Sequence, residues 1–541
     1  MRPLLALLVL TSCNAGSKDA PSKDSDDSDV VPQSVCAAQG LSEHPWDTVG
    51  PYGEHRHDVA ADAILPLGDA GWTLSENWTG CDTLMFVTDT LPVSDLNPVS
   101  VWGSDLDALL EDSPKNVQWF FVSRQEGPDA KAAIGGMQTQ LDAVLAGMKK
   151  ADRAWWTDRV HVVTKPAGKL DGWVGSVIAS GIGTGGFAID RHQQLRGLGS
   201  FSDVTRSNAS DKWPWDNNLA MAARDARYLD KQSEQQDVLD AQVATVVPMW
   251  TGEVIQEFAE MDVTLPDATT MAGFDTFQIE VDMRCPDPTK AEVGNSEVGN
   301  CGAWDYLAHL WLQEDDGSWT ELSRFITSYH RETHWVTDAT PMLAVLKAGG
   351  TRHFKWEWAP SWNVQPTETR LNLRFSNAAK GMHPTTTTHL FSGGSWNSHY
   401  NEAREPMVVP IPAGAKKVEL WSVISGHGSS PADQCAEFCN HQHEFTVNGA
   451  THLAEFPEAK LNEGCVSELK NGATPNQWGT WWFGRGGWCP GQQVNPIVFD
   501  VTTEATAGQD ATILYRGLFK GVTPNDNGGD IVLNSWLVVY E

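Results

Sequence analysis

Residues 424–491 concentrate side chains that could do chemistry. ISGHG (424–428) leads into CAEFCNHQHEFTVNG (435–449), and the stretch closes on CVSELKNGATPNQWGTWWFGRGGWCPG (465–491). Four of the nine cysteines lie here, with Glu437 between Cys435 and Cys439. Arg485 and the tryptophans Trp478, Trp481, Trp482 and Trp488 follow closely. A carboxylate can accept or return a proton. Arginine can make paired hydrogen bonds to a carboxylate or to hydroxyls. Tryptophan stacks on flat apolar faces, sugar rings included. The bland reading of Glu437 is a cap on a surface loop, and that of the tryptophans is core packing.

A second set of blocks lies upstream. Cys301-Gly302-Ala303-Trp304-Asp305-Tyr306 is followed by Arg324-Phe325-Ile326-Thr327-Ser328-Tyr329. Downstream come Cys435-Ala436-Glu437-Phe438-Cys439, then Cys465, then Arg485-Gly486-Gly487-Trp488-Cys489-Pro490-Gly491. In this order the blocks resemble the peptide-N-glycosidase F family, over about residues 245–541 and not the N-terminal part. The resemblance implies hydrolysis of the amide between an asparagine side chain and the first GlcNAc of an N-glycan. The products would be aspartate and a glycosylamine that loses ammonia. It makes Asp305, preceded by Trp304, the primary catalytic acid and Glu437 a second acid acting through water. Glu357, in Lys355-Trp356-Glu357-Trp358, matches a third acid if one residue is gapped. Arg485 and Trp488 match positions lining the sugar site, where Trp304, Tyr306 and His427 also fall. The sequence departs from the best-known member at Tyr306, where that protein has Arg. It departs again at His427, which replaces Trp, and at Ser429, which falls where a His is found. The loop of 15 residues between Cys285 and Cys301 is longer than in that member.

Export would place eight cysteines in an oxidising compartment, where 105 pairings are open to sequence alone. The resemblance selects Cys285–Cys301, Cys435–Cys439 and Cys465–Cys489, leaving Cys36 and Cys81. The alternative for Cys81 is a lone redox thiol, although no Cys-x-x-Cys accompanies it. Two other classes deserve weighing. His441-Gln442-His443 and the alternating His330, Glu332 and His334 could ligate copper, as in monooxygenases built on paired jelly rolls. Neighbouring strand histidines are more often hydrogen-bonded, so the sequence implies no metal and no cofactor. A glycan-binding protein without activity would keep the aromatic and Arg positions but lose an acid, and both principal acids are present.

The elements that must position these residues start from 541 residues with 41% hydrophobic content, enough for several domains. The net charge of −32 argues against nucleic acid and anionic membrane surfaces as partners. The partners implied by the resemblance are N-glycosylated proteins or glycopeptides, acted on by a monomer. Residues 1–12 read as a lipoprotein signal peptide, with Leu10-Thr11-Ser12-Cys13 resembling the bacterial lipobox. Lipid on Cys13 would tie the chain to the cell envelope, at the outer membrane or cell surface. Residues 13–36 are polar and read as a disordered tether.

Residues 37–235 read as an α/β domain. Its strands begin at Asp82, Val117 and Val160, and its helices cover 105–110, 136–148 and 172–179. A mainly parallel sheet, compatible with a thioredoxin-like layout, is expected. Gly181–Gly186 fits GxGxxG but follows a helix and precedes a strand, so it reads as a turn. From about 240 the chain reads as β-sandwich, with short alternating segments bounded by Gly, Pro, Asn and Asp. Two jelly rolls, 240–395 and 396–541, are expected, with their boundary in the turn-like 385–402.

Overall fold

The structure is a computed structural model. It describes residues 34–541 apart from 69, 91–100, 104, 208–214, 293–299, 403, 429–434 and 526–527. Cys13, the leader, most of the tether and Ser429 lie outside the described residues. Among those described, no helix is long and apolar enough to cross a membrane.

Alternation of apolar and polar residues builds the C-terminal half. In Thr276–Arg284, Phe277, Ile279, Val281 and Met283 are buried while Gln278, Glu280, Asp282 and Arg284 are more open. Such a period of two presents one face of a strand to a core. Eight strands form the first sandwich. One sheet runs Ala244–Ile255, Thr367–Ser376, Thr276–Arg284, Thr333–Asp338 in spatial order. The other runs Phe258–Asp267, Gly349–Glu357, Leu307–Gln313, Trp319–Ile326. Counted along the chain, the orders are 1-8-3-6 and 2-7-4-5. The second sandwich repeats them with Pro384–Ser395, Asp530–Tyr540, Lys417–His427, Ile497–Asp500 in one sheet. Its other sheet is Met407–Pro410, Asp510–Leu518, Gln442–Val447, Ala450–Glu455. All these pairings are antiparallel. Two four-stranded sheets with these orders are the jelly-roll arrangement.

The two jelly rolls share a dry seam. Trp421, Val423, Trp488, Trp536 and Val538 of the second pack into the same apolar cluster as the core of the first. An ion-paired knot is embedded at that seam. Arg324 holds Glu321 at 2.8 and 2.6 Å and donates to Ser425 Oγ (3.0 Å) and the Val532 carbonyl (2.7 Å). His309 Nδ1 lies 2.7 Å from Glu321, and Asn534 donates to it at 2.7 Å. Burial alone would push the Glu321 carboxyl up, but Arg324 and His309 hold it well below the carboxylate range.

The N-terminal domain is a five-stranded sheet flanked by helices. Its strand order is Val160–Val162, Val117–Val122, Thr83–Thr88, Gly186–Ile189, Leu195–Gly197. The first three are parallel and the last two antiparallel, so the sheet is mixed rather than mainly parallel. The order remains compatible with a thioredoxin-like layout. The helix Trp173–Ser180 ends on Gly181 in the left-handed conformation and the next strand starts at Gly186, so the glycine run is a turn. Helix Ala222–Ala241 leads into the first jelly roll. Arg56 and Arg331 fasten the domain down: Arg56 pairs Glu332 at 2.8 Å, and Arg331 pairs Asp225 at 3.1 Å while donating to the Pro475 carbonyl at 3.0 Å.

The expected domain boundary needs correction. Pro384–Ser395 is a full strand of the second jelly roll, paired to Asp530–Tyr540. The jelly rolls therefore meet before 384, not at 395/396. Four consecutive threonines look like loop composition, yet a β-branched residue suits a half-buried pleated surface. The expected helix from 136 in fact spans Gly127–Gly147, with proline in its first turn, and Gly135 and Gly136 do not interrupt it.

Candidate active site

Asp305 sits on the short connection between the Cys285–Cys301 disulfide and strand Leu307–Gln313. Thr327 pins this connection. Its hydroxyl donates to the Trp304 carbonyl (2.6 Å) and accepts from the Tyr306 N–H (2.7 Å). The residue between them therefore has little freedom, and its carboxylate is aimed at Arg485.

Glu437 is set from the other jelly roll. The Cys435–Cys439 disulfide closes its loop, with the two Cα atoms 5.3 Å apart. The Gly486 N–H donates to the Glu437 carbonyl at 2.6 Å, and the Gly426 N–H to the Gly486 carbonyl at 2.8 Å. Glycine is required at 426 and 486. A Cβ at Gly486 would lie 2.2 Å from His441 Nε2, and one at Gly426 would lie 1.9 Å from the Ala436 carbonyl oxygen.

Arg485 joins the two halves. Its side chain is fully buried and held by the carbonyls of Phe483 (2.8 Å) and Thr480 (3.2 Å). The Cys465–Cys489 disulfide ties this segment down. Nη2 lies 3.4 Å from Asp305 Oδ2, and Nε lies 3.4 Å from Glu437 Oε1. One guanidinium between them caps the separation of the two acids at roughly 9 Å, inside the ~5–10 Å across which paired carboxyls handle one water. The faces of Trp488 and Phe438 lie 4.9 and 5.2 Å from the guanidinium carbon. Trp488 is buried, donates Nε1 to the Gly426 carbonyl (2.6 Å), and stacks with His427 at 5.0 Å. His427 in turn reaches Ser425 Oγ at 2.8 Å, the hydroxyl that Arg324 holds.

Burial pushes the Asp305 carboxyl above its ordinary value, against the pull of Arg485 and of the Tyr329 hydroxyl bonded to it. Burial also raises Glu437; Arg485 opposes the rise and the Asp305 charge adds to it. Acids raised in this way hold a proton more readily than free carboxylates. Burial likewise drives His427 well below the histidine range, so it stands neutral beside the site.

The structure thus gathers Asp305, Glu437, Arg485, Trp488 and His427. Trp304 stands beside them with 41% of its surface exposed. The Tyr306 hydroxyl accepts from Asn363 (2.7 Å) and its ring meets the exposed Trp362 edge-on. Glu357 ends strand Gly349–Glu357, where Trp311 Nε1 donates to it (3.2 Å) and Lys355 pairs with it (3.1 Å). The charges that act on Asp305 and Glu437 are Arg485 and, for Glu437, Asp305. Tyr329, which touches both Arg485 and Asp305, was not singled out from sequence, although it ends the Arg324–Tyr329 block. Thr480 and Phe438 had no signal beyond their nearness to Arg485 and Glu437.

The histidines weighed as copper ligands have other work. His441 and His443 are buried in the second core, 2.7 Å apart nitrogen to nitrogen, and His443 Nδ1 meets the Tyr515 hydroxyl at 2.6 Å. Glu332 is taken by Arg56 and His57, His330 by the Cys301 carbonyl, and His334 by Glu280. These residues do not converge on one point.

All four disulfides form between the pairs named from sequence, Cys36–Cys81 included, with Cα separations of 4.6–5.6 Å. These fall within the range that a disulfide can bridge.

Comparison with known proteins finds the following likenesses. Residues 395–539 match the family described as Peptide-N-glycosidase F, C terminal. Peptide-N(4)-(N-acetyl-beta-D-glucosaminyl)asparagine amidase F of Elizabethkingia miricola is 25% identical over 304 residues, spanning 52% of this chain and 77% of that protein. The solved structure of PNGase F, a glycosylasparaginase from Flavobacterium meningosepticum, aligns at 21% identity with a TM-score of 0.43, over 55% of this chain and 95% of that one. A PNGF-II structure aligns at 13% identity with a TM-score of 0.41, over 57% and 67%. The likeness is to the peptide-N-glycosidase F family, and residues 395–539 carry the match to its C-terminal part.

Proposed function

We propose that the cleft around Asp305, Arg485 and Glu437 hydrolyses the amide joining asparagine to the first GlcNAc of an N-glycan. The observation that carries this reading is one buried guanidinium held between two acids from different jelly rolls, both with raised carboxyl pKa values. Amide hydrolysis needs a proton acceptor, an oriented water and a proton for the departing nitrogen. Water adds to the amide carbon. Asp305 takes its proton and returns it to the nitrogen as the C–N bond breaks, while Glu437 orients the water. Arg485 fixes both acids and moderates their charge, so neither must move during the step. The peptide leaves with aspartate, and the sugar leaves as a glycosylamine that hydrolyses to release ammonia. Trp304, with its exposed indole, is a stacking face for a GlcNAc ring.

The substrates on this reading are N-glycosylated proteins or glycopeptides. The enzyme acts as a monomer, exported and held to the bacterial cell envelope by lipid on Cys13, with residues 13–36 as its tether. Cys13→Ser should move the protein into the soluble fraction; an unchanged membrane fraction contradicts the anchor. The activity itself is tested by incubating the full chain with a denatured N-glycoprotein and a glycopeptide, followed by mass spectrometry. Conversion of Asn to Asp with release of the intact glycan supports the reading. Retained asparagine, with the glycan bound but uncut, overturns it.

A further inference from the structure

Far from the two acids in sequence, three side chains of the N-terminal region aim at one point. His44 lies on the segment after the first helix, His192 on the turn between strands Gly186–Ile189 and Leu195–Gly197, and Asp237 on helix Ala222–Ala241. His44 Nε2 is 2.8 Å from Asp237 Oδ1, and His192 Nε2 is 3.1 Å from the same oxygen. The two imidazole rings are 4.4 Å apart and tilted by 47°. All three ligand-type atoms lie within 4.8 Å of one another.

What sets this cluster apart is that its atoms lie at ion-pair distance without an aligned hydrogen bond among them. His44 Nε2, His192 Nε2 and Asp237 Oδ1 are each closed off from solvent, and none has a hydrogen bond of acceptable geometry. Two imidazole nitrogens beside one carboxylate oxygen should hydrogen-bond to it at these distances, yet neither is aligned to do so. A buried polar atom without an aligned hydrogen bond is costly, and here three such atoms share one small volume. A cation at their centre would satisfy all of them. Two nitrogens and one oxygen around a metal at about 2.0–2.2 Å stand ~3.3 Å apart in a tetrahedral site, close to the separations from Asp237 Oδ1 observed.

The surroundings have the further features of a metal site. Arg191 donates to Asp237 Oδ2 at 2.9 Å, fixing the carboxylate so that Oδ1 faces the imidazoles. Its charge is shared with Asp230, 3.3 Å away. An outer partner of this kind orients a ligating group. The His44 backbone is anchored on both sides, its N–H donating to the Gly80 carbonyl (2.8 Å) and its carbonyl accepting from Trp78 Nε1 (2.8 Å), next to Cys81 of the first disulfide. The His192 N–H donates to Asp190 at 2.9 Å. His192 also lines a cavity of about 280 Å³ between this domain and the first jelly roll.

We propose that His44, His192 and Asp237 bind one divalent first-row transition-metal ion, zinc fitting the donor set, with a fourth position left for water. Such a site would clamp the N-terminal segment and the strand turn onto the helix that leads into the jelly rolls. The reading is separate from the amidase proposal, because Asp305, Glu437 and Arg485 take no part in it.

The test uses the full chain, stripped with chelator and titrated with zinc by calorimetry, with thermal unfolding in parallel. Wild type should bind one equivalent and unfold at a higher temperature with zinc. His192→Ala and Asp237→Asn should each weaken binding by at least ~10–100-fold and abolish the zinc-dependent rise. Their metal-free circular dichroism should match metal-free wild type, which separates a lost ligand from a lost fold. His353→Ala, at an exposed histidine beside Glu260 and Asp262, should leave the equivalent intact. Absence of a tight equivalent in wild type, or its survival in both ligand variants, would overturn the site. Its loss in His353→Ala alone would assign the ion to that surface instead.

Discussion

Two arginine–carboxylate clusters stand near each other across the seam between the jelly rolls, and they are built oppositely. Arg324 grips Glu321 with two short bonds, 2.8 and 2.6 Å, while His309 and Asn534 complete the carboxylate's partners. Arg485 instead spreads over two acids, each at 3.4 Å. The consequence is a difference in sign. Glu321 is held well below the carboxylate range, because its partners outweigh burial. Asp305 and Glu437 are raised, because burial outweighs a shared partner. A tight pair keeps a charge in place and fastens two domains. A loose, shared pair leaves acids that can change protonation state, which is what proton transfer requires. Residue types alone would not separate the two clusters.

The largest effect should come from the loose cluster, and on activity alone. Asp305→Asn keeps the shape and removes the proton acceptor, so kcat on a glycopeptide should fall by about 10²–10⁴-fold. Glu437→Gln should be comparably severe. At pH 7 the unfolding midpoint of Asp305→Asn should not drop, since a raised pKa means that the ionised acid weakens the fold there. A midpoint clearly below wild type would show that Asp305 is structural and erase the contrast.

Glu321→Gln should show the reverse. Removing the charge strands Arg324 in a dry seam, at a cost of roughly 3–5 kcal/mol in stability by denaturant unfolding. The pH dependence has a definite sign. A carboxyl lowered in the fold contributes stability that is complete above its unfolded value, near 4.3, and is lost as pH falls below it. The stability of wild type should therefore fall more steeply below about pH 4 than that of Glu321→Gln. Parallel curves would place the effect elsewhere.

Arg485→Lys makes the comparison sharper. A lysine keeps the charge but lacks the planar fork that reaches both acids. Misplacement of reacting groups by about 1 Å can cost ~10²-fold, so a loss of that order in kcat with the fold intact is expected. Near-wild-type turnover would mean that bridging is unimportant.

The acid limb of kcat/KM should lie above the range of a free carboxyl, because both acids are raised by burial. A limb at or below about pH 4 would contradict the geometry. The smallest effect is expected at Glu357. Its carboxylate is occupied by Trp311 and Lys355, so Glu357→Gln should change stability by no more than ~0.5 kcal/mol and leave kcat/KM unchanged. A large loss would return it to the reacting set.

These contrasts also show what the chain discloses before it folds. Asp305, Glu437, Arg485 and Trp488 were pointed to by the resemblance that their short motifs carry, and the fold brings the four together. The eight-strand pattern was partly readable, since alternation such as Phe277, Ile279, Val281 is a direct imprint of a sheet with one buried face. Pro384–Ser395 reads as a turn-like boundary in sequence because a threonine-rich strand resembles a loop by composition. Glu357 was the least legible of the acids, because an alignment gap of one residue moves a strand side chain to the other face. His44, His192 and Asp237 come from three distant segments, and nothing in their local sequence announces that they meet. The raised and lowered carboxyls were beyond reach for the same reason: each depends on burial and on partners brought from elsewhere by the fold.

The most direct measurement is turnover of a glycopeptide by the full chain in ¹⁸O-enriched water, read by mass spectrometry beside Asp305→Asn. Hydrolysis at the amide carbon predicts that wild type converts asparagine to aspartate carrying one ¹⁸O and frees the intact glycan, and that the variant does neither at a comparable rate. A peptide that keeps its asparagine, aspartate without the label, or full turnover by Asp305→Asn would contradict a two-acid amidase held together by Arg485.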